Sequence, residues 1–196
     1  MNQRPTFANR HRWLAAGAAL SLCLSTVDAA TMPDPELRER LREAMTDSTS
    51  FPDRFDAQVW LTDMAIRLGK QVRNADERVK ILQQVHWEAT RVGLPPEMVL
   101  AVIDIESAFD AYAVSVAGAQ GLMQVMPFWL DEIGRPGDRL VDIDTNLRMG
   151  CTILRYYYDM EGGNWTPALA RYNGSYGSRK YSQKVLNRLS TRWFQQ

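Results

Sequence analysis

The 196-residue sequence predicts a mainly α-helical protein with little or no β structure. Apolar residues recur three or four positions apart through several long windows. Glycines and prolines (Gly134, Pro136, Gly137, Gly162, Gly163, Gly174, Gly177) punctuate the joins, and no alternating run is long enough for a convincing strand. With 45% apolar, 10% aromatic and 23% charged residues the chain is an ordinary globular one, which excludes a mostly disordered or fibrous protein. The 23 Lys and Arg balance 23 Asp and Glu, so nothing suggests the broad basic footprint of a nucleic-acid binder, and no nucleic-acid partner is expected. Two cysteines are too few for a disulfide scaffold or a Cys-rich zinc site, and His11 and His86 leave little for metal or triad chemistry.

Taken in order, residues 1–29 read as a cleavable secretory signal. Arg4, Arg10 and Arg12 precede the apolar run Trp13–Leu24, and Val27-Asp28-Ala29 offers small residues for cleavage after Ala29. The run is too short and Ala-rich for a membrane span, so no stable insertion is expected after cleavage. Leu22 before Cys23 is not the small residue that a lipoprotein site needs. Cleavage leaves 20 basic and 22 acidic residues and one thiol, Cys151, expected to be buried. Residues 30–52 carry mixed charge (Glu36, Arg38, Glu39, Arg40, Arg42, Glu43) and form either a short exposed helix or a flexible lead-in.

Residues 53–70 place Phe55, Val59, Trp60, Met64, Ile66 and Leu68 at near-helical spacing. The helix expected over 76–92, capped by Asp76 and stopped by Gly93, aligns Val79, Leu82, Val85 and Ala89. His86 has no partner at ligand spacing and reads as a core-edge or solvated side chain. Residues 53–78 are expected to form a helical extension bracing a domain over 79–196. Pro95-Pro96 opens a helix that runs through Glu106, proline being tolerated in a first turn. Further helices are expected near 121–133, 145–161, 166–172 and 178–193. In Tyr156-Tyr157-Tyr158 the residues read as helix packing rather than a carbohydrate platform.

One carboxylate stands out. Val99, Val102, Ile103 and Glu106 share one helix face that is apolar until Glu106, whereas Asp104 projects to the other side and is expected to be solvated. Partial burial and a helix C-terminus both disfavour the ionised form of Glu106. A carboxyl that stays protonated near neutral pH suits a general acid for glycosidic cleavage. A rim glutamate that reaches water or pairs with an arginine is the alternative. A two-carboxylate glycosidase needs a second acid across the sugar. The nearest, Asp110, would lie on the same side as Glu106 if the helix continued.

Three motifs then occur in order: Glu106-Ser107-Ala108-Phe109, Gly121-Leu122-Met123-Gln124, and Ala170-Arg171-Tyr172-Asn173. Over roughly residues 80–190 the chain resembles the soluble lytic transglycosylases of bacterial cell walls, the SLT family, with a goose-lysozyme-like helical fold. The resemblance implies Glu106 as the single catalytic acid/base, with Ser115, Met123, Gln124, Tyr172 and Asn173 lining the substrate cleft. Read from the residues alone, Met123 packs in the core or binds, and Ser107 caps a helix. The resemblance further implies periplasmic cleavage of the MurNAc-β-1,4-GlcNAc bond to leave 1,6-anhydroMurNAc ends, with no metal or cofactor. Peptidoglycan strands are then the partner, and any envelope machinery alongside stays unnamed. A muramidase on the same fold and a non-catalytic peptidoglycan-binding scaffold are the alternatives. Arg171 and Ser175 depart from the small residues the family often carries there.

Overall fold

The computed structural model describes residues 35–46 and 50–194, so the expected signal at 1–29 lies outside the described residues. Eight α-helices are described: α1 (Pro35–Thr46), α2 (Arg54–Leu68), α3 (Ala75–Arg91), α4 (Pro96–Glu106), α5 (Trp129–Ile133), α6 (Ile143–Met160), α7 (Trp165–Tyr172) and α8 (Lys180–Arg188). A π-helical turn, Leu189–Trp193, follows α8. Among the described residues there is no strand, only isolated bridges joining Val114 to Gln120 and Gln120 to Val125. None of the described helices is long and apolar enough to cross a membrane.

Local chemistry fixes the helix starts. The Asp53 carboxylate accepts from the Phe55 and Asp56 amides at 2.7 and 2.9 Å, satisfying two donors that α2 leaves unpaired. On α3 the cap is Asn74 rather than the expected Asp76. The Asn74 Oδ1 accepts from the Glu77 amide at 2.8 Å, and Asp76 falls in the first turn beside the positive end of the helix. On α1, Leu37, Leu41 and Ala44 are buried against α2 and α3, which makes this charged segment amphipathic rather than wholly exposed. Trp60, Met64 and Leu68 of α2 turn inward, while Phe55, Val59 and Ile66 form an exposed apolar stripe.

Helix α4 is buried on nearly every side, from Glu97 through Asp104, and packs against α3, α8 and the π turn. Enclosing Leu100, Val102 or Ile103 contributes about 1.5–3 kcal/mol each. Its burial corrects the expectation for Asp104. That residue is only 8% exposed because the π turn covers the face assigned to solvent, and Trp193 Nε1 donates to its Oδ2 at 2.9 Å. His86 sits at the core edge, stacked on Phe51 at 3.5 Å with Nδ1 2.8 Å from Ser50 Oγ, and burial pushes its pKa down to about 4.

A helix over 121–133 is not formed. Gly121 and Gln124 adopt left-handed backbone (φ +74° and +49°), and the segment turns tightly before the short α5. A β-carbon on Gly121 would lie 2.4 Å from both the Leu140 oxygen and Asn146 Nδ2, so only glycine fits. Asn146 of α6, 1% exposed, anchors this loop. Its Nδ2 donates to the Gln120 and Leu140 carbonyls at 2.8 and 2.7 Å, and its Oδ1 accepts from the Met123 amide at 2.8 Å. Every polar atom of that buried amide is satisfied.

Candidate active site

Glu106 is the last residue of α4, where the helix stops because Ser107, Ala108 and Phe109 leave helical geometry. Ser107 is the C-cap. Its Oγ donates to the Leu122 carbonyl at 2.8 Å and accepts from the Phe109 amide at 3.1 Å, joining the first motif to the second. Ala108 and Phe109 lie at φ +50° and +71°, and with Gln124 they are the described non-glycine residues of positive φ. Such conformations cost about 1–3 kcal/mol each and persist only where the surroundings impose them.

The half-buried Glu106 carboxylate receives a hydrogen bond from the Tyr181 hydroxyl, 2.6 Å from Oε1. Burial raises its pKa above the ordinary carboxyl range, and hydrogen bonds from Tyr181 and Asn173 pull it only partly back. The hydroxyls of Tyr172 and Tyr181 are themselves pushed well above the usual phenol range, first by burial and then by the charge of Glu106. Both remain neutral donors at any physiological pH. A carboxyl so placed can give up a proton and then accept one, since the tyrosine hydrogen bond stabilises the intervening carboxylate.

The structure brings the third motif to the second. Tyr172 Oη donates to the Met123 carbonyl at 2.7 Å, fastening α7 to the loop. Asn173 caps α7 and faces Glu106. Gln124 Nε2 donates to the Ala113 and Gly121 carbonyls at 3.1 and 3.0 Å. With both amide protons committed, its side-chain oxygen is what it can offer a ligand. Ser115 is half-exposed, and its Oγ accepts from the Ala119 amide at 3.0 Å, so it holds its own loop rather than Glu106.

Met123 corrects the expectation of a side-chain contact. It is fully buried and fills the space over Gly150, where an added β-carbon would lie 2.4 Å from its sulfur. Cys151 packs beside it, 4.0 Å between sulfurs, and burial drives that thiol far above its ordinary pKa. Asp110 lies beyond the end of α4, exposed, with Oδ1 accepting from the Tyr112 amide at 2.9 Å. Arg171 pairs with Glu161 and lies 3.9 Å over the Tyr176 ring.

Tyr181 is the site residue that sequence reasoning missed. Tyr181, Ser182 and Val185 make the buried face of α8, and the spacing of Tyr181 and Val185 marks the tyrosine as inward-pointing. Its partner stands 75 positions earlier, so no local pattern pairs the two.

The family model for the transglycosylase SLT domain matches residues 84–192, more than half of the chain. The chain belongs to the SLT family. It is 30% identical over 135 residues to the soluble lytic murein transglycosylase of Escherichia coli K12, covering 63% of this chain and 21% of that one. A shorter stretch of 46 residues is 54% identical to the membrane-bound lytic murein transglycosylase C of Actinobacillus pleuropneumoniae serotype 5b, covering 24% of this chain and 13% of the relative. The chain thus spans about a fifth or less of the length of these relatives. An inactive mutant of the lytic transglycosylase Slt from Pseudomonas aeruginosa superposes with a TM-score of 0.51 at 22% identity, over 82% of this chain and 37% of that one. That likeness shows the lysozyme-like helical fold.

Proposed function

We propose that this SLT-family chain is a peptidoglycan lytic transglycosylase with Glu106 as its single acid/base. The observation that carries the reading is the half-buried Glu106 carboxyl, held at 2.6 Å by Tyr181 and shifted toward its protonated form by burial. In this reading Glu106 protonates the oxygen that leaves C1 of N-acetylmuramic acid, and the C1–O bond breaks. The muramyl N-acetyl oxygen stabilises the cation that develops at C1. The Glu106 carboxylate then takes the proton of the C6 hydroxyl while O6 bonds to C1, which closes a 1,6-anhydro ring and returns the acid to its starting state. No water is consumed, so no second carboxylate is needed to activate one, in contrast to a two-carboxylate hydrolase. Asp104 and Asp110, the acids nearest in sequence, are engaged elsewhere.

Gln124, through its amide oxygen, and Asn173 are proposed contacts to the glycan, with Ser115 at the same cleft. Tyr172 fixes the loop that carries Gln124. The catalytic unit is proposed to be residues 79–196, braced by 53–78, and the site of action the periplasm, reached through cleavage after residue 29. Support for the substrate comes from the lytic murein transglycosylases to which the chain is similar.

The test is mass spectrometry of products released from purified sacculi. Wild type is expected to yield anhydromuropeptides, and Glu106→Gln none while keeping its circular dichroism. Reducing ends would make the chain a muramidase. Undiminished release by the Gln variant, or no release by either protein, would overturn the assignment.

A further inference from the structure

Two residues before Glu106, helix α4 carries the buried carboxylate of Asp104. Asp104 Oδ2 accepts from Trp193 Nε1 at 2.9 Å and lies 3.3 and 3.4 Å from the Arg192 and Arg188 guanidinium groups, while Gln71 donates to Oδ1 at 3.3 Å. Trp193 is fully buried, and its ring packs against that of Phe109 with centroids 5.4 Å apart. Phe109 is itself buried and is the second of the two left-handed residues that end the turn after Glu106. The π turn carrying Trp193 is fastened to α2, since Arg67 donates to the Arg192 and Phe194 carbonyls at 2.7 and 2.9 Å and Arg192 returns a bond to the Arg67 carbonyl at 2.6 Å.

We propose that Asp104, Trp193 and Phe109 act as positioning residues that fix where α4 stops and so hold the Glu106 carboxyl against Tyr181. The proposal rests on the reading of Glu106 as the acid/base, although none of the three residues need touch substrate. A left-handed pair of non-glycine residues relaxes unless something opposes it. Ser107 opposes it through Leu122 on one side, and the Trp193 ring opposes it through Phe109 on the other. Asp104 sets the height of that ring along α4, because its carboxylate is the acceptor of the indole N–H. Without the ring, the last turn of α4 frays, and the carboxyl moves toward water and away from its partner.

The experiment compares Phe109→Leu, Asp104→Asn and Trp193→Phe with wild type. Three quantities are read: kcat and KM on solubilised glycan strands, the titration of the Glu106 carboxyl by carbon-13 NMR, and the thermal midpoint. The groups facing Glu106 are Tyr172 and Asn173 from α7 and Tyr181 from α8, all unchanged in these variants. Phe109→Leu is expected to lower kcat on the order of 10- to 100-fold with KM nearly constant, the scale on which small displacements of reacting groups act. Its Glu106 carboxyl should titrate closer to an ordinary glutamate, because burial is the largest influence holding it up. Asp104→Asn exchanges the charged acceptor of the indole N–H for a neutral one of the same shape, so a smaller fall in kcat in the same direction is expected. Trp193→Phe keeps an aromatic ring beside Phe109 but loses the indole N–H that Asp104 accepts, so a fall in kcat smaller than that of Phe109→Leu is expected, and it decides if the other two fail to fold. Wild-type kcat and wild-type Glu106 titration in the folded variants, whatever their thermal loss, would reduce the cluster to a structural clamp. If wild-type protein releases no anhydro ends, the functional reading fails, yet the titration still tests the positioning.

Discussion

The Tyr181–Glu106 hydrogen bond offers the sharpest quantitative test of the site. Tyr181→Phe removes one hydroxyl and leaves the ring that fills the first turn of α8. The lost bond, 2.6 Å to Oε1, favours the ionised carboxylate over the neutral acid. Hydrogen bonds to charged groups contribute about 1.5–3 kcal/mol. Removing one should therefore weaken Glu106 as an acid by about ten- to a hundred-fold, since 1.36 kcal/mol corresponds to one tenfold step. The Asn173 hydrogen bond persists and makes the lower figure the better expectation. A general acid works only while protonated, so the fall in kcat/KM at high pH should move to higher pH in the variant. The assay is release of anhydromuropeptides across a pH series. A limb that stays in place, or moves to lower pH, would refute the view that Tyr181 stabilises the carboxylate.

Glu106→Gln should be more stable than wild type at neutral pH: because burial raises the folded-state pKa of Glu106, its favourable contribution is complete in acid and is lost as pH climbs through that raised value. Thermal midpoints of the two proteins should thus converge below about pH 4 and separate above it. Met123→Ala should cost about 2–5 kcal/mol from the cavity left over Gly150, seen as a fall in midpoint of roughly 5–15 °C. Gly150→Ala overpacks the same spot and should cost about 1–3 kcal/mol, with part of that loss recovered when it is combined with Met123→Ala in a denaturation cycle. Cys151, buried and with its thiol far from ionising, should resist iodoacetamide until the protein unfolds, as read on the peptide by mass spectrometry.

Much of this architecture was legible because α3 and α4 bury what their periodicity says they should: Val79, Leu82, Val85 and Ala89 on one, Val99, Val102 and Ile103 on the other. Helix phase put Glu106 at the end of an apolar face, and it is the last residue of α4. Asp104 was misjudged because helix phase describes one face at a time, and the cover on the opposite face arrives from a π turn almost 90 residues later. The stretch 121–133 has helical composition, yet the left-handed backbone at Gly121 and Gln124 comes from bonds to α6 and to neighbouring loop carbonyls that lie beyond any local window. Tyr181 and Asn146 went unnoticed for the same reason, since each acts on a partner that only the folded chain brings near.

The left-handed conformers at Ala108, Phe109 and Gln124 carry a lesson for anyone engineering this scaffold. A search for better thermal tolerance would choose them first, because glycine sits comfortably at such angles. Relief there would be gained by letting the reaction centre wander, so durability and turnover are set against each other along those few residues. The exposed greasy stripe of Phe55, Val59 and Ile66 lies on a different helix and is the safer place to redesign.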